Sequence, residues 1–283
     1  MSVASVGVIG AGIMGSGIAQ VCASAGLDVV MIDVNQAALD RGLSHIDKSL
    51  ARFVKKGTLT AEAKDAALSR LSLSTDYADL KSLPLIIEAA TENLGLKEKI
   101  LKAIDDVVAP DAIIATNTSS ISITQLAAAN SHPGRVIGMH FFNPPPLMPL
   151  IEIINGLQTS PETLEKVSAL VARIGKKSIT VKNNPGFVVN RILIPMINEA
   201  FFTLSEGIAT AEEIDLGMVL GCNQPIGPLA LGDMIGLDTC LAILDVFFEN
   251  FNDSKYRPCP MLRELVAAGR LGRKSGHGVY QYN

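Results

Sequence analysis

The sequence predicts a doubly wound, mostly parallel α/β sheet followed by an all-helical C-terminal domain. Short β-rich apolar runs alternate with helical periods over the first part of the chain, which is typical of a parallel sheet wound by helices. A glycine-rich turn stands between the first run and the first helix, and only helical periods follow a break at residues 182–186. With 283 residues, the chain is long enough for two domains.

Six apolar runs are predicted as strands of the sheet. In chain order they span residues 6–10, 29–33, 85–89, 113–117, 136–142 and 150–154. A helix is predicted after the glycine turn, from Ser16 to Ala25. Between the second and third runs, apolar residues recur at spacings of four and three from Leu39 to Val54, which predicts one helix with a buried face.

The domain boundary is predicted at the turn over residues 182–186, which contains two asparagines, a proline and a glycine. This division gives an α/β domain over residues 1–183 and a helical domain over residues 184–283. Apolar residues cover most faces of the first helix after the break, from Val188 to Leu204. We therefore expect that helix to pack centrally, against the other domain or another subunit.

The glycine-rich turn follows the first strand directly, opens a helix and has the spacing GxGxxG. The first glycine permits the tight turn, the second lets the backbone approach a pyrophosphate, and the third lets the helix pack on the strand. The helix N-terminus then points at the phosphates. The cofactor-binding residues predicted in this turn are Gly10, Gly12, Ile13, Met14 and Gly15. In this context the motif predicts a Rossmann-type dinucleotide site.

An acidic residue, Asp33, ends the second strand at the distance from the glycines expected of a dinucleotide site. Its carboxylate would accept hydrogen bonds from both adenosine ribose hydroxyls and repel a 2′-phosphate. NAD is therefore the predicted cofactor, and some use of NADP is disfavoured but not excluded. Glycines alone would indicate only a turn, so the prediction depends on strand, turn, helix and acidic residue together.

Composition excludes several classes of function. The formal net charge of −4 argues against nucleic acid as a partner, since that partner requires a basic surface. No uncharged apolar run reaches the roughly 18 residues of a membrane helix, so no membrane partner is expected. The four cysteines form no CxxC pair and there is no clustered histidine, so neither a disulfide framework nor a metal site is predicted. Since no basic targeting segment precedes the first strand, a cytoplasmic location is expected.

Titratable and hydroxyl side chains lie on or after three of the predicted strands, where open α/β sheets bind their ligands. The fourth run ends in the sequence NTSS at residues 117–120, the fifth contains His140 and the sixth contains Glu152. The last two runs are joined by residues 144–149, a connection too short for a crossover helix. They are therefore predicted to pair antiparallel.

The register of that pair brings a histidine and a carboxylate together. A turn centred on Pro146 places residues equidistant from it opposite each other, as His140 and Glu152 are, with Cβ atoms about 5 Å apart. The carboxylate would hold one imidazole tautomer, and the histidine would accept the proton of an alcohol while hydride leaves for a nicotinamide. Alone, His140 would more readily be a hydrogen-bonded core histidine, whereas Glu152 would be costly to bury unpaired.

The chain resembles the 3-hydroxyacyl-CoA dehydrogenases over essentially its whole length, and short bacterial members most closely. The resemblance is carried by VIGAGIMG at 8–15, EAATEN at 88–93, TNTSS at 116–120, HFFNP at 140–144, NPGF at 184–187 with Asn190 and Arg191, and GP at 227–228. It implies reversible NAD-dependent oxidation of an (S)-3-hydroxyacyl-CoA, such as 3-hydroxybutanoyl-CoA, to the 3-oxoacyl-CoA. It also implies a homodimer formed through the C-terminal domain, and a place in fatty acid or butanoate metabolism.

The resemblance also implies roles for individual residues. It assigns the proton transfer to His140 assisted by Glu152, and places Ser119 and Asn190 on the oxygen atoms of the substrate. Because Asn190 lies early in the helical domain, the site would form in a cleft between the domains. The cofactor contacts that it adds to the glycine turn are Asp33, Glu92, Lys97, Asn117, Ser119, Asn143 and Lys274.

The phosphates of an acyl-CoA substrate require basic groups outside the nicotinamide pocket. Basic residues recur at helical spacing from Lys48 to Lys56, on the helix after the second strand, and the resemblance implies that this helix binds CoA. The CoA contacts that it implies are Ser49, Arg52, Lys56 and Ser119. On spacing alone, an ordinary solvated face is the favoured interpretation of these basic residues.

Two other functions stay open at this point. An NAD-dependent dehydrogenase of a CoA-free hydroxy acid or sugar acid would use much of the same site and would not need the basic face. A non-catalytic dinucleotide-binding protein would need neither His140 nor Glu152. A hydroxyacid dehydrogenase with a lysine base is disfavoured by the predicted pairing of these two residues.

Overall fold

The structure of the chain is a computed structural model that describes residues 3–282. It divides into two compact units, one ending at Asn184 and the other beginning at Pro185. The strands, all in the first unit, are β1 (Ser5–Ile9), β2 (Asp28–Ile32), β3 (Leu71–Ser74), β4 (Leu85–Glu88), β5 (Ile113–Thr116), β6 (Val136–Phe141), β7 (Leu150–Asn155) and β8 (Lys177–Lys182). The α-helices of this unit are α1 (Ile13–Ser24), α2 (Gln36–Lys55), α3 (Ala61–Ser69), α4 (Leu94–Asp105), α5 (Ile123–Ala128) and α6 (Pro161–Arg173).

The eight strands form one sheet in the order β3-β2-β1-β4-β5-β6-β7-β8. All neighbours pair parallel except β6 and β7, which pair antiparallel. The order reverses direction between β1 and β4, the switch point at which doubly wound sheets bind ligands beyond the strand ends. The predicted mostly parallel sheet is confirmed, and so is the antiparallel final hairpin.

Two strands, β3 and β8, were absent from the sequence prediction, and both lie at the edges of the sheet. The first reads LSLS and has no fully buried residue, and the second reads KSITVK and has only Val181 buried. Edge strands keep one side toward solvent and take polar residues. They therefore lack the continuous apolar run by which the other strands were predicted.

The first helix differs from the other helices of this unit in how its N-terminus is capped. Side chains of Asn35, Thr60, Asn93, Ser122 and Ser160 each accept a backbone hydrogen bond at the start of α2 to α6. At α1 the N-cap is Gly12, which has no side chain to do so. The helix begins at Ile13 rather than at the predicted Ser16, because the last part of the glycine turn already has helical geometry. Its N-terminal amide groups are thus left to a ligand or to water.

The core of the first unit forms where α1 and the other helices pack on the sheet. Val8, Met31, Ile87 and Ile137 are buried in it. Cys22 on α1 is also buried there, and burial raises the pKa of its thiol to about 12. A thiol held protonated in an apolar core serves packing rather than chemistry.

The second unit is helical. Its α-helices are α7 (Val189–Ser205), α8 (Ala211–Gly221), α9 (Pro228–Ile235), α10 (Leu237–Phe251) and α11 (Pro260–Ala267). The core contains Ile197, Phe201, Leu244 and Phe247, so α7 packs centrally within its own unit, whereas its Ile192 is largely exposed. No helix within residues 3–282 combines the length and apolar character needed to cross a membrane.

Candidate active site

The glycine turn has the geometry that a dinucleotide requires. Gly10 has a φ of +99°, and a Cβ built on it would lie 2.8 Å from the carbonyl oxygen of Ala89. A Cβ on Gly15 would collide with the carbonyl oxygen of Gly10. A Cβ on Gly12 would meet nothing within 4 Å and would project into open space beside the helix N-terminus. This open space has room for a pyrophosphate. The pyrophosphate could approach the backbone closely because Gly12 has no side chain.

Asp33 is fixed beside that turn by two backbone hydrogen bonds. Its Oδ2 accepts from the amide of Ala11 at 2.7 Å, and its Oδ1 accepts from the amide of Val34 at 2.7 Å. The carboxylate lines a cavity of about 510 Å³ together with the glycine turn and the start of α2. Arg41, which the sequence analysis did not single out, lines the same cavity eight residues further along the chain. Helical spacing puts Arg41 on the same face of α2 as Ser49 and Arg52, but the sequence does not show that this face reaches the cavity beside Asp33.

The predicted register of the β6–β7 hairpin is confirmed, with His140 directly opposite Glu152. The Nδ1 atom of His140 lies 2.8 Å from Oε2 of Glu152. Glu152 is fully buried, whereas His140 retains 6% of its surface. The ring of Phe142 packs against the imidazole at a centroid distance of 4.7 Å. This arrangement holds Nδ1 against the carboxylate and thereby fixes the ring orientation.

The turn after β5 lies next to the histidine strand. Asn117 accepts a hydrogen bond from the amide of Phe141 at 2.8 Å through its Oδ1, so the ends of β5 and β6 are tied together. Asn117 was predicted as a cofactor contact, and its side-chain oxygen accepts this backbone hydrogen bond next to His140. Ser119, two residues further, is held on this turn as well.

Glu92 organises that turn through one carboxylate oxygen. Its Oε1 accepts hydrogen bonds from Thr118 Oγ1 at 2.6 Å, from the amide of Ser119 at 2.9 Å, and from Ser120 through its amide at 3.1 Å and its Oγ at 2.9 Å. Burial raises the pKa of Glu92, but the charge of Lys97 and these hydrogen bonds outweigh it, so the pKa lies below its usual value. Glu92 is thus held as a carboxylate at the base of the turn.

Lys97, which was predicted as a contact of the cofactor, lies within a buried hydrogen-bond network. Only 1% of the residue is exposed, and its Nζ donates to both carboxylate oxygens of the fully buried Glu88. The third donor reaches the carbonyl oxygen of Ala90 at 3.2 Å. The helical spacing of Lys97 gave no indication of this burial, because its cause is the carboxylate at the end of β4.

The loop between β6 and β7 begins with Asn143, which is exposed and precedes a cis peptide bond to Pro144. The ammonium of Lys176 fastens the loop by donating to the carbonyl oxygens of Pro145 at 2.7 Å and Met148 at 2.8 Å. Lys176 lies outside the β6–β7 hairpin, and it thereby holds the loop between the two strands in place.

The basic face of α2 and this loop line a cavity of about 680 Å³. Lys48, Ser49, Arg52 and Lys56 all line it. The structure therefore brings three of the four predicted CoA contacts to one cavity. The fourth, Ser119, lies on the turn held by Glu92. His45 lines both this cavity and the one beside Asp33.

Two predicted site residues belong to the second unit. Asn190 is half-buried near the start of α7, and Lys274 lies on a short 3-10 turn (Arg273–Ser275). The Nζ of Lys274 forms an ion pair with Asp238 at 2.6 Å. Their contacts with substrate and cofactor stay predictions. Among residues 3–282 there is no group of three or more potential metal ligands.

These features together define an oxidoreductase with a dinucleotide site after the first strand and a histidine–carboxylate pair on strands β6 and β7 of the same sheet. The NAD-binding domain model of the 3-hydroxyacyl-CoA dehydrogenases matches residues 5–184, and the C-terminal domain model of that family matches residues 186–282. The chain therefore belongs to the 3-hydroxyacyl-CoA dehydrogenase family.

Several relatives match the chain over nearly its full length. The chain is 52% identical to the 3-hydroxybutyryl-CoA dehydrogenase of Bradyrhizobium diazoefficiens, covering 98% of this chain and 94% of the relative. It is 49% identical to a probable 3-hydroxybutyryl-CoA dehydrogenase of Bacillus subtilis, covering 100% and 98%. The crystal structure of (S)-3-hydroxybutyryl-CoA dehydrogenase from Ralstonia eutropha superposes with a TM-score of 0.97 at 60% identity, covering all of both chains.

Proposed function

We propose that the chain catalyses the reversible NAD(H)-dependent oxidation of (S)-3-hydroxyacyl-CoA to 3-oxoacyl-CoA, with 3-hydroxybutanoyl-CoA as its short-chain substrate. The observation that carries the proposal is the buried His140–Glu152 pair, held by strand register in the same sheet that bears the dinucleotide turn. Family membership and the names of the full-length relatives support the substrate class.

In this reaction His140 accepts the proton of the 3-hydroxyl group, and in the reverse direction it returns that proton. Its Nδ1 is paired with Glu152, so Nε2 is the ring atom that exchanges the proton. As Nε2 is protonated, the Glu152 carboxylate stabilises the resulting imidazolium and keeps the ring in place. When bound, the nicotinamide supplies the hydride acceptor. Ser119 and Asn190 are proposed to bind the oxygen atoms of the substrate.

NAD is proposed as the cofactor in preference to NADP. The Asp33 carboxylate, fixed by the amides of Ala11 and Val34, would repel a 2′-phosphate. Arg41 in the same cavity is a cation that would attract one, so measurable use of NADPH is compatible with the site. Besides Asp33, the proposed cofactor contacts are the residues of the glycine turn together with Glu92, Lys97, Asn117, Ser119, Asn143 and Lys274.

The CoA portion is proposed to bind on the basic face of α2. The cavity of about 680 Å³ is large enough for a nucleotide-sized ligand, and Arg52 and Lys56 supply cations for its phosphates. A CoA-free hydroxy acid would leave this face without a function. The basic cavity therefore favours an acyl-CoA over the free acid.

The assembly and cellular context are proposed as well. The first unit would serve as the NAD-binding domain, and the second as the domain for substrate and dimerisation. Ile208, Leu216 and Leu220 are exposed apolar residues of the second unit, which supports a homodimer formed through it. A cytoplasmic location is also proposed, in keeping with the free cysteines. A place in fatty acid or butanoate metabolism is proposed because the names of the relatives specify 3-hydroxybutyryl-CoA.

The test is the loss of NADH absorbance with acetoacetyl-CoA, run beside free acetoacetate and beside a reaction in which NADPH replaces NADH. We expect rapid turnover of the thioester, none of the free acid, and slower turnover with NADPH. Equal turnover of free acetoacetate would favour the CoA-free dehydrogenases. No turnover of either compound, with NADH still bound, would favour a binding protein.

A further inference from the structure

A buried glutamine, Gln20, lies between two neighbouring cavities of the first unit. It belongs to α1, and only 3% of the residue is exposed. It lines the cavity of about 680 Å³ that is proposed for CoA, and it also lines a second cavity of about 390 Å³. Phe53 on α2 and Pro146 in the β6–β7 loop line both cavities as well. The two cavities are therefore adjacent, and these three residues form the wall that they share.

Gln20 has an amide group that is enclosed and yet has no partner in the protein. Ser16, the other buried polar residue of the larger cavity, donates its hydroxyl to the carbonyl oxygen of Gly12 at 2.6 Å. The side chain of Gln20 forms no hydrogen bond within residues 3–282, and both of its polar atoms keep some accessible surface. That surface faces the cavities that Gln20 lines. An amide in such a place is favourable when a ligand or water pairs with it.

The neighbours of Gln20 in the shared wall suit the flat ring of a nucleotide base. Phe53 supplies an aromatic ring and Pro146 an apolar one, and both residues are half-buried. Flat aromatic bases stack favourably on such surfaces. Arg52 and Lys56 lie beside Phe53 on α2 and supply positive charge for phosphates. The wall therefore combines the groups that a base and its phosphates require.

The loop side of this wall is fixed in the protein itself. The ring of Pro145 packs so closely on α1 that a Cβ on Gly17 would lie 2.8 Å from it. The ammonium of Lys176 donates to the carbonyl oxygen of Pro145 at 2.7 Å. Pro146, the next residue, is therefore held beside the helix that carries Gln20. A ligand that binds here does not have to order the loop, which favours its affinity.

We propose that Gln20 recognises the adenine base of CoA, in a slot that it forms with Phe53 and Pro146. A primary amide presents a donor and an acceptor side by side, and adenine presents its N6–H donor beside the acceptor N1 or N7. Nε2 of Gln20 then donates to the ring nitrogen while Oε1 accepts from N6. The inference rests on the proposed function, in which the phosphates of CoA bind on α2.

The rival ligand for Gln20 is the pantetheine arm of the same substrate, and kinetics with Gln20→Met separates the two. Methionine keeps the length of glutamine and removes both hydrogen-bonding groups. KM for acetoacetyl-CoA should rise about tenfold with kcat unchanged. Acetoacetyl-pantetheine has no nucleotide, so its kcat/KM should be the same in both proteins. Equal losses with the two substrates, or an unchanged KM for acetoacetyl-CoA, would overturn the proposal.

Thermal unfolding distinguishes recognition from a merely structural role. No hydrogen bond within residues 3–282 depends on the amide of Gln20, so the Tm of Gln20→Met should equal or exceed that of the native chain. A structural role predicts a lower Tm together with losses on both substrates. Gln125→Met, at an exposed position of α5, is the matched control and should change neither KM nor Tm.

Binding measurements test the recognition of adenine without any turnover. CoA and 1,N6-etheno-CoA, whose bridge removes the N6–H donor, are titrated calorimetrically into the NAD-saturated protein. The native chain should bind CoA about tenfold more tightly than etheno-CoA, and Gln20→Met should bind the two alike. Equal affinities in the native chain would overturn the proposal. If the preference is seen but acetoacetyl-CoA is not turned over, the proposed function fails while the recognition of adenine stands.

Discussion

The β6–β7 hairpin and the basic face of α2 differ in how they hold their charged side chains. In the hairpin, strand register places His140 opposite Glu152, burial removes water, and the two side chains meet at 2.8 Å. On α2, Lys48, Arg52 and Lys56 share a cavity wall, but none of the three forms an ion pair among residues 3–282. Proton transfer requires placement to a fraction of an ångström, whereas a polyphosphate requires only nearby positive charge.

The two regions should therefore respond differently to substitution and to salt. Mobile ions screen the buried charge interaction in the hairpin only weakly. Loss of a reacting group there affects the chemical step. Charges on α2 are screened by mobile ions and contribute modestly and separately. Substitution in the hairpin should lower kcat, and substitution on α2 should raise KM.

The largest effect is expected from His140→Gln. Glutamine retains polarity but cannot exchange a proton near neutral pH, so kcat should fall about 10³-fold while NADH affinity is retained. Steady-state kinetics and NADH fluorescence titration provide the two measurements. His132→Gln, at an exposed position outside the strands, is the matched control and should retain full activity. Unchanged turnover of His140→Gln would remove the basis of the proposed mechanism.

A smaller loss is expected from Glu152→Gln. The amide keeps the shape of the carboxylate but carries no charge to stabilise the imidazolium, so kcat should fall about 10²-fold. Because the side chain is buried, the ratio of mutant to native kcat should stay constant between low and high salt. Glu165→Gln on the exposed face of α6 serves as the control. If the loss of kcat disappeared at high salt, the His140–Glu152 pair would be screened as a surface ion pair is, which would contradict this prediction.

The sequence allowed the hairpin to be predicted more completely than its surroundings. The register was predicted by assuming that the loop turns about Pro146, and the structure confirms that His140 and Glu152 lie opposite each other. The edge strands β3 and β8 were missed because their residues are polar. The buried position of Lys97 was missed because its partner, Glu88, lies in another element, and only folding brings the two together.

The cavity beside Asp33 shows the same limit of prediction from sequence. Asp33 was predicted from its place after β2, and its backbone hydrogen bonds to Ala11 and Val34 belong to the local chain. Arg41 lies on a helix whose rotation about its axis was not known from sequence, so its place in this cavity was not predicted. Local geometry and strand pairing could be predicted, whereas contacts between side chains of different elements could not.

The smallest effect is expected on α2, from Arg52→Gln/Lys56→Gln. Loss of two solvated cations should raise KM for acetoacetyl-CoA about tenfold at low salt and leave kcat unchanged, since the reacting groups are untouched. The increase should shrink as salt rises, because native binding then loses the same electrostatic contribution. Lys99→Gln, an exposed lysine on α4, is the matched control and should leave KM as it is. A fall in kcat with unchanged KM would mean that α2 shapes the reacting site, and the contrast between the two regions would no longer hold.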